Sequence, residues 1–205
     1  MPKAARNSVF PLLKRPLLWQ PLSRIARQQR PSLALQDWLS HSGSLTARLI
    51  DASQGQFRVK VVRQIIAVPR LDEQQVLGMK RPALALIREV ILCGCDEPWV
   101  FARSILPLTS LTGRLRHLRK QGTRPLGAFL FSQPQITRSA IAVARISRDH
   151  AYVPAALAGT SILWGRRSVF SLREQQLPQK PLLVSEVFLP AFTDRLARQA
   201  LNPNG

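Results

Sequence analysis

Read for alternation of apolar and polar positions, the chain divides into strand-like and helix-like stretches from about Ser32 onward. Residues 56–68 alternate, with Phe57, Val59 and Val61 set against Arg58 and Lys60, which predicts a strand. Residues 83–94 (ALALIREVILCG) and 99–106 (WVFARSIL) predict two more, joined at 95–98 (CDEP) by a hairpin turn. Residues 136–146 read as a fourth strand, with Ile141 and Val143 on one side and Ala140, Ala142 and Ala144 on the other. Residues 162–172 and 182–189 complete a set of six. Helical spacing is briefer. Leu33, Leu35, Trp38 and Leu39, then Leu45 and Leu49, predict two short helices around the Ser-Gly-Ser break at 42–44. Residues 108–121 predict a basic helix with Leu111, Leu115 and Leu118 on one side, stopped by Gly122 and Pro125. Residues 69–82 predict a loop with one helical turn, 149–161 a long loop or insertion, and 192–201 a short helix.

Hairpin-joined strands with helices grouped at the start and middle predict an α+β fold around one antiparallel sheet of six strands. The 205 residues suffice for one such core. The contiguous elements define a domain over 34–190, preceded by an extension at 1–33 and followed by a tail at 191–205. The extension holds Lys3, Arg6, Lys14, Arg15, Arg24, Arg27 and Arg30 with no acid, and prolines interrupt it. That pattern excludes a long helix and is expected to be flexible. No apolar stretch with a small-residue cleavage site follows it, and no run of about 18 apolar residues occurs, so neither a secretory signal nor a membrane span is expected.

Charge then limits the partners. Lys and Arg total 30 against 11 Asp and Glu, a formal net charge of +19, while 45% of residues are hydrophobic. The apolar content excludes a disordered polycation. The charge suits nucleic acid, an acidic membrane surface or a small anionic substrate. The two cysteines, Cys93 and Cys95, are two apart on a strand, with Cα atoms about 6.5–7 Å apart, at the edge of disulfide reach. A reducing cytoplasm fits. His41, His117 and His150 show no metal-ligand spacing, so no metal site is expected.

The chemically informative positions are ions on apolar strand faces. Arg88 shares a face with Leu84, Leu86, Val90 and Leu92, and Glu186 with Leu182, Val184 and Phe188. A buried guanidinium is costly unless a carboxylate pairs with it, and desolvation would raise the pKa of Glu186. Two readings stand: a structural one, in which Arg88 and Glu186 form an internal salt bridge or lie on a solvated strand face, and a pocket with a cation at one end and a carboxyl at the other. The pocket would suit a small anionic ring bearing a hydroxyl, with Leu45 or the Pro125-Leu126-Gly127 turn over its mouth. Trp164-Gly165-Arg166-Arg167 opens a strand, which turns one arginine inward. Gly-rich phosphate loops, HExxH, GxSxG and Cys–His pairings are absent from the sequence, so an enzyme here would work by binding and proton transfer.

At these residues the sequence resembles the chorismate pyruvate-lyases. The resemblance rests on DWL at 37–39 with Ser44-Leu45-Thr46, REVILC at 88–93, EPW at 97–99, Ala102-Arg103 and LPLTSLTG at 106–113. It continues with PLG at 125–127, ITR at 136–138, LWGRRS at 163–168 and KPLLVSEVFLP at 180–190. The order of these segments over about 34–190 is more specific than any one of them. The resemblance implies a six-stranded sheet with an enclosed site under helical flaps. It implies elimination of pyruvate from chorismate to give 4-hydroxybenzoate for ubiquinone synthesis, without metal or organic cofactor. Arg88 would bind the ring carboxylate and Glu186 would meet the 4-hydroxyl. Leu45 and Leu126 would touch the ligand partly through backbone groups. Arg103, Arg166 or Arg167 would neutralise the departing carboxylate. The expected partners are chorismate, 4-hydroxybenzoate and pyruvate, met by a cytoplasmic monomer with no nucleic acid and no inserted membrane segment. The alternative is a non-catalytic aromatic-acid sensor of the same fold.

Overall fold

The computed structural model describes residues 17–160, 162–172 and 179–202. Its strands are β1 (Phe57–Ala67), β2 (Ala85–Gly94), β3 (Glu97–Pro107), β4 (Ile136–Arg138), β5 (Ala142–Ile146), β6 (Leu163–Leu172) and β7 (Lys180–Phe188). Its helices are α1 (Leu33–Ser40), α2 (Leu45–Ala52), α3 (Leu71–Val76), α4 (Leu126–Ser132), α5 (Ala155–Ala158) and α6 (Pro190–Leu201). The strands form one antiparallel sheet in the order β1-β2-β3-β7-β6, with β4 and β5 both paired to β6.

Among the described residues the sheet therefore has seven strands, not the six expected. Residues 136–146 do not run as one strand. Arg138 lies opposite Phe170 while Ala142 lies opposite Arg167, so the register slips by one residue between β4 and β5. Ser139 occupies the slip. Its N–H donates to the Val169 carbonyl at 2.8 Å, and its hydroxyl accepts the Val169 N–H at 2.9 Å. A side chain thus substitutes for ladder bonds that alternation alone would assign to backbone. A second slip, between Val61 and Arg63, kinks the edge strand β1.

Every residue of β2 is buried, as are those of β3 from Trp99 onward. Central strands covered on both faces carry charges only where partners or a site await them. The β2–β3 hairpin turns on Cys95 and Asp96, both at positive φ (50° and 64°), as a tight right-twisting two-residue turn requires. Gly94 precedes them because a Cβ there would lie 2.3 Å from the Trp99 ring.

One face of the sheet is covered by α1, α2, α4 and α6. Ser32 and Ser44 begin α1 and α2 by accepting the backbone N–H of Leu35 and Ala47, one turn on. Pro190 starts α6 at a position where its missing N–H costs nothing. Phe192 of α6 then packs on Trp38, Trp99 and Phe188 at ring separations of 4.8, 5.4 and 5.5 Å. The tail expected beyond the domain is thus part of its core. Residues 17–32 also depart from the expected flexible extension. Leu17 and Ile25 are buried, Gln20 bridges to Val143, and Trp19 stacks edge-on against Tyr152. Residues 1–16, with Lys3, Arg6, Lys14 and Arg15, lie outside the described residues. The basic stretch expected as an α-helix is a 3-10 helix at 113–120, and the loops at 69–82 and 149–161 contain α3 and α5.

Candidate functional site

Register arranges the charged residues in rows across the sheet. One row runs Gln64, Arg88, Ser104, Val184, Ser168. The next runs Arg63, Glu89, Arg103, Ser185, Arg167, and the third Val61, Val90, Ala102, Glu186, Arg166. Successive rows project to opposite faces. Arg88, Glu186 and Arg166 therefore share the face under α2 and α4, while Glu89, Arg103 and Arg167 share the other.

The face under α2 and α4 holds a narrow cavity of about 20 Å³. Its floor is Val90, Leu92, Ala102, Ser104 and Val184, its roof Thr46 with Pro125, Leu126 and Gly127, and its polar ends Arg88 and Glu186. Arg88 and Glu186 lie two strands and two residues apart, so their Cα atoms are about 12 Å from each other by strand spacing and rise. Ala102 lies directly opposite Glu186 and keeps the floor between the two ends shallow. The roof closes where α2 meets α4: a Cβ on Gly127 would lie 3.0 Å from the Thr46 hydroxyl.

Arg88 is 3% exposed, and among the described residues no carboxylate pairs with it. Nη2 donates to the carbonyls of Gly122 (2.7 Å) and Arg124 (3.3 Å), while buried Nε has no partner among the described residues. Burial lowers its pKa from the ordinary guanidinium range. The internal Arg88–Glu186 bridge, part of the structural reading of the sequence, is not formed. Glu186 pairs instead with Arg166, whose Nε donates to Oε2 at 2.7 Å. Glu186 thus has a cation against it, where the apolar strand pattern implied isolation. Arg166, 1% exposed, also donates through Nη1 to the carbonyls of Trp38 (2.9 Å) and His41 (2.8 Å) at the end of α1.

Arg103 and Arg167 do not join this cavity. Arg103 lies on the opposite face, donating to Glu73 at 2.7 and 3.0 Å and to Glu89. Its burial lowers the pKa, but the hydrogen bond and charge of Glu73 outweigh this and raise it overall. Arg167 pairs with Asp72 at 2.9 Å and lies over Trp19. In this arrangement neither is available to a ligand's second carboxylate. Strand period puts Arg166 and Arg167 on opposite faces but does not say which face carries the cavity.

Leu45 is 2% exposed at the start of α2, packed in the core beside the roof, and Leu126 starts α4 within the roof itself. Three further residues belong to the neighbourhood. Thr46 and Ser104 put hydroxyl-bearing side chains in the cavity wall. Arg138 donates to the Ser42 carbonyl at 2.7 Å and the Ser168 hydroxyl at 3.0 Å. Burial and then Arg166 lower its pKa, with Glu186 opposing. Thr46 and Arg138 stand within the segments that carry the resemblance and Ser104 directly follows one, but a lone hydroxyl or cation has no pattern to single it out.

The sequence model of the family described as Chorismate lyase matches residues 13–199. The chain belongs to the chorismate lyase family. A protein named probable chorismate pyruvate-lyase from Aromatoleum aromaticum (strain DSM 19018 / LMG 30748 / EbN1) is 42% identical over 188 residues, covering 89% of this chain and 93% of that one. Another of the same name from Azoarcus sp. (strain BH72) is 46% identical over 166 residues, covering 77% and 85%. Among solved structures, the effector domain of PhnF from Mycobacterium smegmatis aligns with a TM-score of 0.48 at 18% identity, over 73% of this chain and 90% of that one. The chorismate lyase match begins at residue 13 and ends within α6, so it takes in packed segments on both sides of 34–190.

Proposed function

We propose that this chorismate lyase family member eliminates pyruvate from chorismate to give 4-hydroxybenzoate, the aromatic acid that feeds ubiquinone synthesis. The observation that carries the reading is Arg88: a buried cation with no carboxylate partner among the described residues, facing a small cavity with a carboxylate at its other end. Such a cation is costly until an anion arrives, so the site selects a carboxylate.

Chorismate has carboxylates on the ring and on the enolpyruvyl ether. In the reaction the C3–O ether bond breaks, the C4 proton is lost, the ring becomes aromatic, and the released enolpyruvate takes up a proton at its methylene carbon to become pyruvate. Aromatisation drives this sequence, so the protein's task is orientation and charge stabilisation. Arg88 anchors the ring carboxylate. Glu186, steered by Arg166, presents Oε1 to the 4-hydroxyl at the far end. Among the described residues the first turn of α4 has no capping side chain, and its backbone amides at Leu126 and Gly127, in the cavity roof, meet the enolpyruvyl ether oxygen as C3–O cleavage leaves charge on it.

The test is incubation of the purified chain with chorismate, following 4-hydroxybenzoate and pyruvate in stoichiometric amounts without added metal or cofactor. Tight binding of 4-hydroxybenzoate with no turnover by folded protein would support a sensor and overturn the proposal.

A further inference from the structure

The excess positive charge is unevenly placed. The 3-10 helix at 113–120 exposes Arg114, Arg116, Arg119 and Lys120, and Arg124 follows, also exposed. Among the described residues none of them is ion-paired to a carboxylate. Gln64 of β1 donates to the Arg119 carbonyl at 3.1 Å, which fixes this helix against the sheet edge. There Ile66, Val68 and Leu84 are 59%, 49% and 50% exposed. Register brings them together: Ile66 is opposite Leu86 and Ala67 opposite Ala85, so Val68 and Leu84 follow at adjoining strand ends. Exposed Lys80 and Arg81 precede Leu84 in the same loop. A cleft of about 440 Å³ between β1 and the helix is lined by Ile65, Ile66, Leu108 and Arg119.

An aliphatic sheet edge rimmed by unpaired cations narrows the choice of partner. A second copy would bring like charges face to face. Nucleic acid would meet the cations, but the exposed apolar members are aliphatic and offer no ring for a base to stack on. An anionic bilayer answers both features, with headgroups for the cations and the interfacial acyl region for the aliphatic side chains. We propose that this rim, residues 113–124 with Ile66, Val68 and Leu84, docks peripherally on the surface of a membrane containing anionic lipid. The docking segment supplies the carbonyls that hold Arg88 and leads directly into α4, so membrane contact and cavity roof are continuous along the chain.

The test is flotation of the full chain with phosphatidylglycerol–phosphatidylcholine vesicles, against phosphatidylcholine alone. Binding is expected only with the anionic lipid. The variant Arg116→Gln/Arg119→Gln/Lys120→Gln should bind about a hundredfold more weakly, at about fivefold per cation. The charge-matched variant Arg24→Gln/Arg27→Gln/Arg198→Gln should lose less than about fivefold. Ile66→Thr/Leu84→Ser, which leaves charge unchanged, should also weaken binding. Solution turnover of chorismate should persist in all three, since none of these side chains lines the cavity. Equal losses in the two charge variants, no effect of the aliphatic variant, or displacement from vesicles by a short DNA duplex bound through the same cations would each overturn the proposal.

Discussion

Arg88 and Arg103 offer a contrast in which the same substitution should have opposite consequences. Each is a buried arginine on a central strand. Arg103 is held by Glu73, which is fully buried, and by Glu89. Arg103→Met strands the buried Glu73, while Glu89 keeps Arg63 at 3.1 and 3.2 Å, a cost of about 3–5 kcal/mol. For a chain of this length that lowers Tm by about 6–20 °C. Arg88→Met removes a cation whose acceptors among the described residues are two carbonyls, on residues exposed enough to bond water instead. Each lost bond is worth about 1 kcal/mol, offset by release of the desolvated charge, so Tm should stay within about 4 °C of the parent. Activity should show the reverse sensitivity. Losing the partner of a bound carboxylate costs about 3–5 kcal/mol of transition-state binding, or about two to three and a half orders of magnitude in kcat/KM. Thermal melts of both variants, with and without 4-hydroxybenzoate, and steady-state turnover of Arg88→Met make the comparison. The ligand should raise Tm in the parent and not in Arg88→Met. If Arg88→Met melts as low as Arg103→Met, or turns over chorismate at near-parental efficiency, Arg88 is an internal prop and the argument for the site fails.

Other outcomes follow from the same geometry. Glu186→Gln keeps an acceptor at the cavity end but discharges Arg166's partner, so kcat should fall by about 10²-fold or more while KM changes little, as stopped assays over a range of chorismate would show. Tyr152, the chain's one tyrosine, has its pKa raised by burial and then by the nearby Glu73 charge, with Arg103 opposing. A raised folded value means stability is full below about pH 10 and falls at higher pH, so tyrosinate absorbance should appear with unfolding and not before it. His41 has its pKa lowered by burial and then by Arg48 and Arg166, with Asp37 opposing. Its contribution is full above about pH 6.5 and is lost as pH drops through the lowered value. His41→Asn, which keeps the carbonyl that Arg166 uses, should therefore flatten the difference in urea stability between pH 7.5 and pH 5.

How much was legible in the sequence depended on whether a residue's role was periodic. Alternation located β1, β2, β3, β6 and β7 within a few residues, because a half-buried strand must repeat every second position. It ran β4 and β5 together, because the break is made by the Ser139 hydroxyl accepting the Val169 N–H and leaves the apolar pattern intact. Proline spacing argued against a long helix, and residues 17–32 form none, but it did not show that Leu17, Trp19 and Ile25 would pack on the sheet without regular structure. Arg88 and Glu186 stood out as charges in apolar runs. Which acid met which base was not legible, because pairing across the sheet follows strand order, and order is a tertiary fact: β7 lies between β3 and β6, which gives Glu186 to Arg166.

Arg88 and Glu89 are adjacent in β2, of opposite sign, and both buried, one beneath the α4 roof and one against Arg103. A slip of β2 by one residue would carry Glu89 under the roof and turn Arg88 toward the guanidinium of Arg103. Every such misalignment would bury two like charges together and take Glu89 away from Arg103. The pair therefore acts as a check on assembly, rejecting out-of-register hairpins that hydrophobicity alone would accept, since β2 is apolar on both sides. Single-residue insertions or deletions within β2 should accordingly be far less tolerated than the same lesions in the exposed edge strand β1, which already carries an extra residue between Val61 and Arg63.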